Sequence, residues 1–317
     1  MSEFRRNLLV AMNKAEPPIT KDYLTIVALE DGLTAKLSVN ACEYCVDGNG
    51  IWKTLPADTE TEVVNSGQTL SFRGNLIPDS TNGIGTFTVN KYFNLKGNCM
   101  SLLFGDNGKD SFSLSGKDCA FKNLFSFNGK LVDASEFVLQ ATILARECYN
   151  NLFSKCTSLV ASPKLPAIIM YSHCYEGMFY RCMNLTEAPE LPAMSLGAYC
   201  YNAMFVGCIS LTTSPNLPAI TLANYCYFNM FQSCTNLIEA PALFARIMHP
   251  SCYYGMFNGC RKINYIKMFA TDISATSCLT NWVVGVALTG TFVKNKEATW
   301  DIRGVSGIPD GWEVITE

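Results

Sequence analysis

The residues best equipped for chemistry in this chain are its 15 cysteines and two histidines. Ten of the cysteines fall in pairs eight apart: Cys148 and Cys156, Cys174 and Cys182, Cys200 and Cys208, Cys226 and Cys234, Cys252 and Cys260. Thiolates can act as nucleophiles, hold zinc or join as disulfides. Zinc sites use ligands about two to four apart, with histidine partners, and neither feature is present here. Cys42-x-x-Cys45 has redox or zinc spacing but no second pair, and strand residues three apart face opposite ways. A Ser-His-Asp or Cys-His arrangement needs a histidine between a nucleophile and an orienting acid. His173 and His249 occupy different positions of a repeat, near its corners, and are expected not to meet. Glu187 and Glu239 share a repeat position and could pair as acid and base, yet nothing implies a cleft around them. Gly83-x-Gly85 lacks the third glycine and the helix of a dinucleotide site. The expectation is no catalytic residue, no metal and no cofactor.

The elements that hold these residues repeat every 26 residues without gaps, with the pattern Cys-Tyr-x-x-Met-Phe-x-x-Cys-x-x-Leu-x-x-x-Pro-x-Leu-Pro-Ala. Copies open at Cys148, Cys174, Cys200, Cys226 and Cys252, a degenerate copy opens near Cys119, and Cys278 starts the segment that follows. On a helical wheel of about 100° per residue, the first Cys, Met, second Cys, Tyr and Phe share one face. The span Cys148–Cys156 and its equivalents therefore read as short amphipathic helices. Leu159, Leu185, Leu211, Leu237 and Ile263 then open a short strand. Pro163, Pro189, Pro215 and Pro241 break it, because proline donates no ladder hydrogen bond. No copy can bury its apolar face alone, so the copies must stack. Residues eight apart on a helix lie about 12 Å apart, beyond the roughly 7 Å Cα limit of a disulfide. The paired cysteines are expected as two ladders of buried, reduced thiols.

Met-Phe-x-x-Cys-x-x-Leu followed by Pro-x-Leu-Pro-Ala, over roughly residues 119–277, resembles the BspA-like leucine-rich repeats of gut-bacterial surface proteins and of the phages that infect those bacteria. More weakly, the opening Met1-Ser2-Glu3-Phe4-Arg5-Arg6, the block Gly97–Asp106 and the closing Gly307-Ile308-Pro309-Asp310-Gly311-Trp312 resemble phage-encoded versions. The fold expected is an α/β solenoid, leucine-rich-repeat-like, with a short helix and a short strand per coil. A small all-β domain precedes it and a β cap closes its C-terminal end. The expected divisions are an amphipathic arm over 1–20, a β-sandwich-like domain over 21–115, the solenoid over 116–277 and the cap over 278–317.

In the flanks, Leu24, Ile26 and Ala28 alternate with polar or partly apolar neighbours. Asp31-Gly32 supplies a hairpin turn, and Leu33, Ala35, Leu37 and Val39 make a half-buried strand. Further strands are expected near Val63-Val64, Leu70–Phe72 and Thr86–Val89. Cys45–Trp52 resembles the Asp-box turn of sialidases, a structural feature without glycosidase chemistry. Trp282, Val284 and Val286, then Thr289–Val293, read as strands covering the last coil.

Composition narrows the function. Hydrophobic residues are 49% and charged residues 16%, and the formal charge is −3, so a packed chain without a phosphate-backbone partner is expected. No apolar run reaches the roughly 18 residues of a membrane span. The apolar stretch Leu8–Met12 is shorter than the roughly 7–15 residues of a secretory core, so no export signal is expected. Phe4, Leu8 and Met12 at helical spacing read as a short amphipathic arm, either a frayed or docked terminal helix or an attachment peg, which the resemblance would join to other virion proteins. The function expected is non-enzymatic binding. The resemblance implies a phage tail-fibre or receptor-binding protein, made in the host cytoplasm and carried on the virion. A cell-surface adhesin and a structural virion decoration are the alternatives. Its partner would be a surface glycan or protein of a host bacterium, and fibre proteins of this kind are often homotrimers. The ligand is expected on two freely varying columns whose coil-to-coil spacing is about 4.8 Å. The first carries Glu187, Thr213 and Glu239, and the second Lys164, Glu190 and Asn216.

Overall fold

Alternating apolar residues build the first strands of the computed structural model, which describes residues 23–317. The arm expected over 1–20 lies outside them. In β1 (Leu24–Ala28), Leu24, Ile26 and Ala28 are buried. β2 (Ala35–Leu37), β3 (Cys42–Val46), β4 (Lys53–Leu55), β5 (Thr69–Arg73), β6 (Phe87–Val89), β7 (Phe93–Asn98) and β8 (Leu131–Val138) follow. They form a six-stranded sheet in the order β4-β3-β5-β1-β7-β8 and a separate β2-β6 pair. Asp31-Gly32 reverses the chain with Gly32 at φ +80. It closes no hairpin, because β1 and β2 go to different sheets. Near Val63-Val64 the expected strand shrinks to one bridge, Leu33 to Val64. The sheet also takes β8 from the degenerate repeat, paired parallel to β7.

The expected α/β solenoid does not form. The described residues contain one α-helix, α1 (Ser101–Phe104), and it lies outside the 26-residue repeats. Where a helix was expected in each coil, every fourth residue is left-handed, as at Tyr199 (φ 58), Ala203 (φ 54) and Gly207 (φ 71). A right-handed helix cannot pass through such residues. The backbone instead makes successive β-turns, and its N–H groups alternate in direction. Asn202, Met204, Val206 and Cys208 donate within the coil to Tyr199, Tyr201, Ala203 and Phe205. Tyr201, Ala203, Phe205 and Gly207 donate to Cys226, Phe228, Met230 and Gln232 of the next coil at 2.8–3.0 Å. Each N–H in the ribbon is thus satisfied without a helix. The side chains point inward in pairs and outward in pairs.

The expected short strand of each coil is likewise reduced to single parallel bridges, Asp133 to Ala161 and Glu187 to Thr213. Proline two residues after the bridging position removes the next ladder donor. Lys267 replaces that proline in the last copy. There a regular parallel sheet appears, of β9 (Tyr265–Met268), β10 (Thr291–Lys294) and β11 (Glu313–Thr316) in the order β11-β10-β9. Residues 278–286 are not strands of a cap. They form one more turn ribbon, with Ser277, Asn281 and Gly285 left-handed and Trp282 accepting from the Phe257 N–H at 2.8 Å. The end is closed further on, where Trp282 Nε1 donates to Gly307 O and Trp312 Nε1 to Ala287 O, both at 2.8 Å.

The core is a set of ladders running through the stack. Phe125, Phe153, Phe179, Phe205, Phe231 and Phe257 stack ring on ring at 5.5–6.2 Å. Tyr149, Tyr175, Tyr201, Tyr227 and Tyr253 do so at 5.7–6.0 Å.

Candidate functional site

All 15 cysteines are buried and free of disulfides. In the second ladder each thiol donates to a phenylalanine carbonyl of the preceding coil. Cys156 reaches Phe125 O, Cys182 Phe153 O, Cys208 Phe179 O, Cys234 Phe205 O and Cys260 Phe231 O, at 3.0–3.1 Å. That contact explains why a small S–H donor recurs here rather than alanine. Burial pushes these thiols well above the ordinary range, Cys260 to about 12, which removes their nucleophilicity near neutral pH. Cys42 and Cys45 are buried as well, with Cys45 Sγ donating to Asn49 Oδ1 at 3.3 Å.

The expected ligand-binding strip lies on the outside of the stack. Lys164, Glu187, Glu190, Thr213, Asn216 and Glu239 are all exposed. Buried Leu185, Pro189, Leu211 and Pro215 alternate with them and fix their direction outward. Glu187 and Thr213 are bridge partners, so their side chains are neighbours across the coils. A second bridge column carries exposed Ile143, Ile169 and Ile247, but Ser195 and Thr221 interrupt it before it becomes a continuous apolar patch.

At the corner where the turn ribbon begins, a polar and aromatic ladder forms outside the expected strip. His173 stacks on Tyr199 at 4.6 Å, and Tyr199 on Tyr225 at 4.5 Å. Phe228 stacks on Tyr254 at 4.6 Å beside them. The signal was legible as consecutive aromatic residues at one outward position. His173 Nδ1 meets Glu176 Oε2 at 2.5 Å, while Asn150 and Asn202 donate to the two oxygens of Glu176 at 3.1 and 2.7 Å. Burial opposes ionisation of Glu147, but the Lys122 ammonium at 2.8 Å, with Arg146 and His173, outweighs it and holds that carboxyl below its usual range. Desolvation, then the neighbouring Tyr225 phenol, raises Tyr199. These rings spend their faces on one another and the carboxylates are already paired, so the ladder braces the corner. His249 takes no part in this cluster.

Among the described residues lie two further open hollows. One, of about 260 Å³, is lined by Glu43, Arg73, Asn75, Phe104, Asp106 and Asn107 among others. Its single cation is already held, since Arg73 pairs with Glu43 at 2.8 Å and Asp106 at 2.7 Å and lies over Trp52. The other, of about 290 Å³, sits on the turn ribbon beside Phe127, Lys155 and Tyr180. No protein-family model, curated protein or solved structure matches this chain.

Proposed function

We propose that the chain is a non-enzymatic binding protein that recognises a bacterial surface ligand through outward columns of its coil stack. The repeat's resemblance makes a virion receptor-binding protein the form this takes. One observation carries the reading. The side chains able to do chemistry in each coil, the thiols and phenols of the repeat, are buried, whereas the columns that change from coil to coil are exposed. A packed column tolerates little change in volume, so variation among Glu187, Thr213 and Glu239, and among Lys164, Glu190 and Asn216, is free to follow a ligand. Neighbouring coils present these side chains side by side, as repeat stacks do when they bind extended partners.

The test is attachment. Fluorescent protein is incubated with a panel of gut-bacterial cells and compared with a variant in which Glu187, Glu190, Thr213 and Asn216 are alanine. Saturable attachment lost in the variant supports the reading. Attachment to no cell type favours a structural role, and unchanged attachment by a folded variant removes the strip from the account.

A further inference from the structure

We infer that the hollow beside Phe127 is a second binding site, one that takes a single acidic sugar unit. It is separate from the strip of Glu187 and Thr213 and stands or falls without it. Its walls come from three successive turn ribbons. Asn123 and Phe127, and Asn151 and Lys155, are the left-handed residues of two of them, a geometry that turns their side chains out of the coil. The third contributes Tyr180. At about 290 Å³ the space stands at the lower end of small-molecule sites, suited to one unit rather than a chain.

The chemistry of the walls selects the occupant. Phe127 is 70% exposed, a ring left in water at a position that later coils fill with Lys155, Arg181, Gly207, Ser233 and Gly259. Lys155 Nζ lies 4.2 Å from its centroid, which holds the ammonium at the rim. Among the described residues, Lys155 and the adjacent Arg181 enter no ion pair, while Lys122 and Arg146 are both taken by Glu147. The Asn123 amide and the Ser154 and Tyr180 hydroxyls also have no side-chain hydrogen bond among the described residues. The ring face opposite Lys155 can pack on the apolar face of a pyranose, amide and hydroxyl groups exchange hydrogen bonds with its hydroxyls, and an ammonium with no carboxylate partner donates to a carboxylate. An acidic peptide fits less well. The backbone N–H groups of Asn123, Phe127, Asn151 and Lys155 are all donated to the next coil, so no open edge remains to pair with a peptide backbone.

The full chain is titrated, by isothermal calorimetry and ligand-observed NMR, with the methyl glycosides of galacturonic, glucuronic and N-acetylneuraminic acids. Methyl galactoside and a glutamyl dipeptide serve as comparators. At least one acidic glycoside should bind saturably, about tenfold or more tighter than methyl galactoside, and less tightly as salt rises. Lys155→Gln and Phe127→Ala should each weaken it about tenfold. Neither side chain lies in the core, so both variants should melt as wild type does. The alanine variant of the strip should bind the sugar unchanged. Failure of all three acidic glycosides to bind, equal or tighter binding of the dipeptide, or wild-type affinity in both substitutions would overturn the inference.

Discussion

Replacing Ala203 by glycine distinguishes a turn ribbon from a helix by the sign of the change in stability. Ala203 holds φ 54 and is only partly buried. An L-residue in the left-handed region costs roughly 1–2 kcal/mol, which glycine escapes. Glycine's greater freedom in the unfolded chain returns about 0.5–1 kcal/mol of that. The net expectation is a gain of about 0.5–1 kcal/mol, which moves the melting temperature of a chain this long by about 1–3 °C. Were residues 200–208 helical, the same substitution would cost about 1 kcal/mol. The same outward position carries glycine at Gly177 and Gly255, which supports the direction. Equilibrium urea unfolding with an unchanged slope reads the difference cleanly. A loss near 1 kcal/mol in Ala203→Gly would refute the turn ribbon.

Other outcomes follow from the same packing. Phe205→Ala should cost about 3–5 kcal/mol in urea unfolding, because its fully buried ring is stacked between Phe179 and Phe231. Gly197→Ala should cost about 1–3 kcal/mol, since a Cβ there would meet the Tyr171 carbonyl carbon at 2.6 Å; a melting temperature equal to wild type would contradict this spacing of coils. The ten paired thiols should resist iodoacetamide until the chain is unfolded, and labelling of the native protein would disprove their burial. Burial raises the thiols' folded-state pKa, Cys252 and Cys260 to about 12. The stability this represents is fully present below the ordinary thiol value of about 8.5 and is lost as pH rises toward the folded value. The urea midpoint should therefore hold from about pH 6 to 8 and fall above about pH 9; a rise there would reverse the argument.

Much of the coil was legible because burial has the same signature in either conformation. A helix returns a side chain to one face every 3.6 residues and this ribbon every four, and over the nine residues from Cys200 to Cys208 the two patterns select the same inward set. The inward residues Cys200, Tyr201, Met204, Phe205 and Cys208 were thus read correctly with the wrong backbone. What separates the two lies at the outward positions. Gly177, Gly207, Gly255 and Gly259, with Asn151 and Asn229, are residue types that tolerate the left-handed region, and their four-residue spacing was the available signal. The prolines were read as strand breakers, and the regular sheet returns where Lys267 stands in their place. In the flanks, alternation found β1 and β2, and the expected strands near Leu70–Phe72 and Thr86–Val89 appear as β5 and β6. It could not tell that Asp31-Gly32 leads from one sheet to another, because partner choice is set by distant contacts. The outward strip was legible as variation between copies. The hollow beside Phe127 was not, since it exists only once three coils are stacked.

The central claim is recognition without reaction, and one measurement addresses it directly. Purified protein is bound to the cells it attaches to and eluted, and the released surface material is compared by mass spectrometry with material from untreated cells. Saturable attachment with chemically unchanged surface material, and attachment lost when Glu187, Glu190, Thr213 and Asn216 are alanine, is the result expected. Cleaved or modified surface material, produced in step with the amount of protein, would contradict it.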